Sequence, residues 1–118
     1  MLKVGEHNEV FLTRGDSACL GLSLEDGSGN PYDFSDDTVK FGLKRTAFDT
    51  DCVLEKTFDE EGKIKFSPED TEKLEFGDYV YDVQVEHTTE AESEEEEDVV
   101  DIYTPIAACK FSIGYNVL

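Results

Sequence analysis

The chain has no tryptophan, one methionine and three prolines. Without tryptophan it cannot build the buried Trp that antibody domains pack against their inter-sheet disulfide, although other sandwiches remain open to it. Basic residues are scarce. Ten Lys and Arg stand against 29 Asp and Glu, a formal net charge of −19. Such a surface repels phosphate, which argues against nucleic acid and anionic membrane as partners and favours basic partners or cations. No apolar run approaches membrane-spanning length, and the opening MLKVGEHNEVFLTRGDS holds none of signal-peptide length. The expectation is a chain made in the cytosol without an export signal. No helical stripe long enough to build a layer occurs, so α/β and Rossmann architectures are excluded.

Three cysteines, Cys19, Cys52 and Cys109, are an odd number without metal-ligand spacing. No pairing suggests itself, as in proteins of reducing compartments. Cys109 alternates with Phe111 and Ile113 and reads as a small core residue, whereas Cys19 falls on the face opposite Leu20, Leu22 and Leu24.

What the chain does have is alternation. At 118 residues it is expected to form a single domain over 1–118, long enough to bury ~65% of its unfolded surface. Period-two patterning predicts strands over Glu9–Thr13, Ser17–Glu25, Thr38–Thr46, Val53–Phe58, Lys63–Ser67, Gly77–His87, Val99–Thr104 and Ile106–Val117, with Pro105 as a bulge or edge break. One helical turn is expected over Glu69–Leu74, capped by Ser67 with Pro68 in first position. About eight short strands with turn residues between them predict an all-β, antiparallel, immunoglobulin-like sandwich of about 7–9 strands.

The candidate sites are acidic. Glu90–Asp98 holds seven acids in nine residues, and the segment 88–98 reads as a solvated hairpin loop that its own charge keeps open. A calcium loop needs spaced carboxylates around a glycine, and this block has neither. Removing it still leaves 22 acids against ten bases, so the body of the domain is acidic too. Asp33, Asp36 and Asp37 form a second knot beside Tyr32 and Thr38, read as turn caps in preference to a metal site. Arg14-Gly15-Asp16-Ser17 reads as a tight turn with Gly15 at positive φ, not as an integrin ligand. His7 and His87 are the only histidines, and neither stands in a nucleophile or metal motif. No nucleophile elbow, glycine-rich phosphate loop or zinc cluster occurs. No catalytic residue, cofactor or metal ligand is therefore assigned, and the chain is not expected to be an enzyme.

Glu75-x-Gly77-x-Tyr79-x-Tyr81 matches the corner that opens the sixth strand of immunoglobulin-like sandwiches. There a tyrosine turns its hydroxyl back onto the preceding connection, and Tyr81 sits where antibody domains carry their second cysteine. The order of Arg14-Gly15-Asp16-Ser17, Leu20-x-Leu22-x-Leu24, Pro31-Tyr32-Asp33, Asp37-Thr38-Val39-x-Phe41, Gly62-x-Ile64-x-Phe66, Ser67-Pro68-Glu69-Asp70-Thr71 and Gly77-x-Tyr79-x-Tyr81-Asp82-Val83 resembles the immunoglobulin-like domains of phage and prophage structural proteins. It is similar in particular to the N-terminal domains of baseplate upper proteins, and the likeness covers residues 9 to 87. It implies a non-enzymatic virion component of a tail or baseplate, synthesised in the host cytoplasm. Such a component would self-associate and contact other tail or baseplate proteins. A carbohydrate- or cation-binding sandwich is the alternative, with Tyr32, Tyr103 and Tyr115 as a stacking platform.

Overall fold

A computed structural model describes residues 2–25, 27–35 and 37–115. Its strands are β1 (Leu2–Val4), β2 (Val10–Thr13), β3 (Ala18–Gly21), β4 (Thr38–Lys44), β5 (Leu54–Thr57), β6 (Lys63–Phe66), β7 (Gly77–Thr89) and β8 (Val99–Gly114), with a short helix α1 (Pro68–Glu72) before β7. Six strands form a curled sheet in the order β1-β2-β8-β7-β4-β5, and β3 pairs with β6 in a second, smaller sheet. The expected all-β class holds. The wholly antiparallel pairing does not, because β2 runs parallel to β8, with Val10 opposite Phe111 and Leu12 opposite Ile113. The larger sheet is therefore mixed.

Alternation explains why the two sheets meet. Val39, Phe41 and Leu43 on β4 and Tyr79, Tyr81, Val83 and Val85 on β7 face Leu20, Ile64 and Phe66 of the smaller sheet across one apolar core. At its centre Phe66 crosses from the small sheet to lie 5.6 Å from Phe41 and 6.0 Å from Phe111, ring centroid to centroid. Tyr81 stacks 5.4 Å from Phe41. These are the offset and edge-on separations that aromatic quadrupoles favour.

Local chemistry fixes the ends. Ser67 donates its N–H to Asp70 Oδ2 at 2.7 Å, and Pro68 opens α1 where no amide donor is needed. The buried hydroxyl of Thr71 accepts the Gly15 N–H at 2.9 Å, which ties the helix to the Arg14-Gly15-Asp16 turn. Gly15 takes φ 81° as expected, while the Arg14 guanidinium lies 4.3 Å over the Phe76 ring. The Tyr79 hydroxyl turns back to the Glu75 carbonyl at 2.8 Å.

Four expectations change. Leu2–Val4 adds a strand, joined to β2 through a turn in which Asn8 takes φ 62° and Gly5 donates to the Glu9 carbonyl. The second expected strand ends at Gly21; Leu22 and Leu24 still lie against the core, but without a ladder partner of their own. Val99–Gly114 is one strand, not two. Pro105 sits in a bulge, since Val83 pairs with Ile106 and Val85 with Tyr103, which leaves Gln84 facing two residues. A second bulge sets Ala107 and Ala108 against Asp82, with Ala108 at φ 51° and its N–H 2.5 Å from Asp82 Oδ1. Finally, β8 ends at Gly114, and the expected continuation to Val117 runs into residues outside the described ones.

Candidate functional site

Asp37 precedes β4, and His87 stands near the end of β7. The register that pairs Thr38 with Glu86 sets these two residues across from each other. His87 Nδ1 lies 2.5 Å from Asp37 Oδ1, while the Tyr32 hydroxyl donates to Asp37 Oδ2. Phe34 holds the Tyr32 ring edge-on at 5.2 Å. Burial works against the charge of Asp37, but the bonds from Tyr32 and His87 outweigh it and hold the carboxyl below its usual range. The Tyr32 phenol is pushed up by burial first and by Asp37 second, so it remains a neutral donor.

The acidic knot does not gather. Asp33 turns to its own loop, where its Oδ1 accepts the Ser35 N–H at 2.9 Å and the Ser35 hydroxyl at 2.7 Å. This is the turn-capping role expected of it. Asp36 lies outside the described residues. Among the described residues, no three His, Cys, Asp or Glu side chains are grouped closely enough to hold a metal ion. Cys19 is exposed and Cys52 and Cys109 are half-buried, all three as free thiols. Cys109 packs against the core as expected.

Tyr32, Asp37 and His87 line an open, largely apolar groove of about 620 Å³ together with Leu24, Val85, Tyr103 and Pro105. A second groove of about 390 Å³ continues it between Leu20–Leu24 and Val83, Pro105 and Ile106. Two of the three candidate tyrosines, Tyr32 and Tyr103, therefore share a site. Tyr115 does not join them, because its ring lies 3.8 Å from Phe76 at the start of β7. A separate depression of about 480 Å³ on the outer face of β4 and β7 is lined by charges of both signs, including Lys40, Lys44, Glu55 and Asp82. These converge on no common point.

The β7–β8 hairpin extends past its neighbours. β4 pairs with β7 no further than Glu86, and β2 reaches only Phe111–Gly114 of β8. Thirteen residues of β7 span about 43 Å at about 3.3 Å each, in a molecule whose long axis is 58 Å. Val99, Val100, Ile102 and Tyr103 on the outer part of β8 are each more than half exposed. The tip, Glu90–Asp98, is a loop as expected, closed by the Ala91 N–H on Asp98 Oδ1 at 2.8 Å.

Alternation alone pointed to neither the Asp37–His87 pair nor the groove, since both depend on strand register. The chain matches no family model, no curated protein and no solved structure.

Proposed function

We propose that this chain is a non-enzymatic structural module of a phage or prophage tail or baseplate, built on an immunoglobulin-like sandwich and acting through protein–protein contacts. One observation carries the contact reading: Val99 and Tyr103 on one face, and Val100 and Ile102 on the other, stand exposed on an arm that projects beyond the rest of the sheet. Clustered exposed apolar side chains of this kind characterise interaction surfaces. The sandwich half of the reading is supported by strand order, with β3-β6 facing β8-β7-β4-β5 as the B-E pair faces the G-F-C sheet of immunoglobulin domains. The Tyr79 corner supports it as well. On this reading the chain is made in the host bacterial cytoplasm and enters the virion, where it meets other tail or baseplate proteins and further copies of itself. Nucleic acid and membrane are not its partners, and it uses no cofactor. Mass spectrometry of purified virions from an induced source strain tests the reading. Peptides of this chain at a fixed ratio to the major tail protein are expected; their absence from clean particles, with the chain present in the lysate, overturns it.

A second reading, a carbohydrate- or cation-binding module, is favoured by the meeting of Tyr32 and Tyr103 in one groove. Calorimetry with cell-wall glycans and with Ca²⁺ tests it, and the absence of heat from both removes it.

A further inference from the structure

Val85 and Tyr103 are cross-strand partners on the inner face of the sheet, yet Val85 is 5% exposed and Tyr103 57%. The core covers that face along β7 and, on β8, takes in Ile106, Cys109, Phe111 and Ile113 but stops short of Tyr103. The edge of β8 is open as well. Among the described residues, no strand other than β7 pairs with Val99–Lys110, and no backbone hydrogen bond joins this stretch to any other segment. Across the gap run Leu20, Leu22 and Leu24 on β3 and the chain that follows it, and the two apolar grooves, which share Leu24 and Pro105, lie end to end along this seam.

We infer that this seam receives an extended, basic segment of a partner protein, which adds to β8 as a further strand. The inference rests on the contact reading above and specifies its surface and the chemistry of its partner. An unpaired ladder edge calls for a strand, because only extended backbone satisfies a row of N–H and C=O groups at strand spacing. The apolar floor calls for alternate Val- or Ile-like side chains pointing inward. Charge selects the remaining positions. Glu25 and Asp37 line the seam, Asp101 follows on the same face of β8, and no Lys or Arg lines either groove. The seven acids of the arm tip lie directly beyond. A second copy of this chain would bring the same carboxylates against them, whereas lysines pointing inward at the arm end of an incoming strand, towards Glu25, Asp37 and Asp101, would be attracted. Pro105 and the two bulges interrupt the edge, devices that discourage indiscriminate pairing of like edges.

The experiment titrates the isotope-labelled full chain with a synthetic peptide of about twelve residues whose inward positions carry valine or isoleucine over the apolar floor and lysine at the arm end, with threonine at the positions between. A glutamate-for-lysine counterpart serves as control, and amide shifts and hydrogen exchange are followed by NMR. Shifts and slowed exchange along Val99–Lys110 are expected for the lysine peptide alone. Tyr103→Lys, at an exposed seam position, is expected to weaken binding at least tenfold. Val100→Lys adds the same charge on the opposite face of the arm and is expected to change binding less than twofold. Equal losses in both variants would reduce the effect to general attraction by the acidic arm and overturn the inference. Equal binding of the glutamate peptide, shifts confined to β1 or β5, or no binding at millimolar peptide would each overturn it. So would sedimentation showing β8 already covered by a second copy, or cell-wall glycans moving these amides where the peptide does not. A chain found in virions whose seam binds no peptide would leave the structural role standing and remove this surface from it.

Discussion

The hydroxyl of Tyr79 donates to the main-chain carbonyl of Glu75 at 2.8 Å while its ring is buried to 4% exposure beneath the Arg45 guanidinium. This bond fastens the connection after α1 to the strand that runs through the middle of the sheet. Tyr79→Phe keeps the ring and removes the donor, and is expected to cost about 1–2 kcal/mol. Urea denaturation checks this. A midpoint unchanged from the parent would mean that water replaces the hydroxyl without loss.

Gly62 and Gly15 both sit at positive φ, 75° and 81°, but in different surroundings. A Cβ on Gly62 would meet the Phe34 ring at 2.8 Å and the Leu22 carbonyl at 3.0 Å, whereas one on Gly15 would meet nothing within 4 Å. Gly15→Ala should cost about 1 kcal/mol of backbone strain. Gly62→Ala should add about 1–3 kcal/mol of overpacking to a similar strain. The order of the two melting temperatures is the measurement, and the reverse order would contradict the packing around Phe34.

Ala108 occupies the left-handed region without being glycine. Ala108→Gly relieves that strain within the bulge and keeps the N–H that Asp82 accepts. A gain of about 0.5 kcal/mol is expected after the greater freedom of glycine in the unfolded chain is subtracted. Denaturant unfolding reads it directly.

Lys56 Nζ lies 2.7 Å from Asp70 Oδ2. Burial opposes the Asp70 charge, but Lys56 and the Ser67 N–H prevail and hold its pKa below the usual value. A depressed folded pKa contributes stability that is present above the unfolded value, about 3.9, and is lost as pH falls through the folded one. Asp70→Asn is therefore expected to be less stable than the parent at neutral pH, with the two curves converging as pH falls through the lowered folded pKa of Asp70. Parallel curves down to pH 2 would show that the pair adds nothing.

With a net charge of −19, the folded chain repels itself more strongly than the expanded one. Raising salt from about 20 mM to about 0.5 M shortens the screening length from about 20 Å to about 4 Å. The melting temperature should rise by several degrees. Exchanging the glutamates of Glu94–Glu97 for glutamine should flatten this dependence, and an unchanged slope would place the repulsion in the body of the domain.

Local signals served well wherever one segment carries its own answer. Tyr79, Tyr81, Val83 and Val85 alternate without interruption and became the buried face of β7; Ser67-Pro68 opened α1; and Gly15 took the turn conformation required of it. Signals that depend on a partner did not. Leu22 and Leu24 alternate like strand residues but meet no partner strand, so they cover the core from a loop. Pro105 read as a bulge or an edge break because proline lacks a ladder donor; only its place opposite Gln84 decides for the bulge, through which β8 continues. The parallel pairing of β2 leaves no trace in either segment, because parallel and antiparallel edges use the same alternation. The Asp37–His87 contact has the same origin. Both residues were visible, but only the β4–β7 register makes them neighbours.

The parallel pairing of β2 with β8 has a consequence for synthesis. In the large sheet β2 has two neighbours, β1 and the last four residues of β8, so Val10 and Leu12 wait for Phe111 and Ile113 while nearly all the chain is translated. Contacts of such long sequence separation form late and slowly. On the ribosome the β8-side edge of β2 stays unpaired until translation has passed Gly114, and in that interval holdase chaperones have their opportunity to bind.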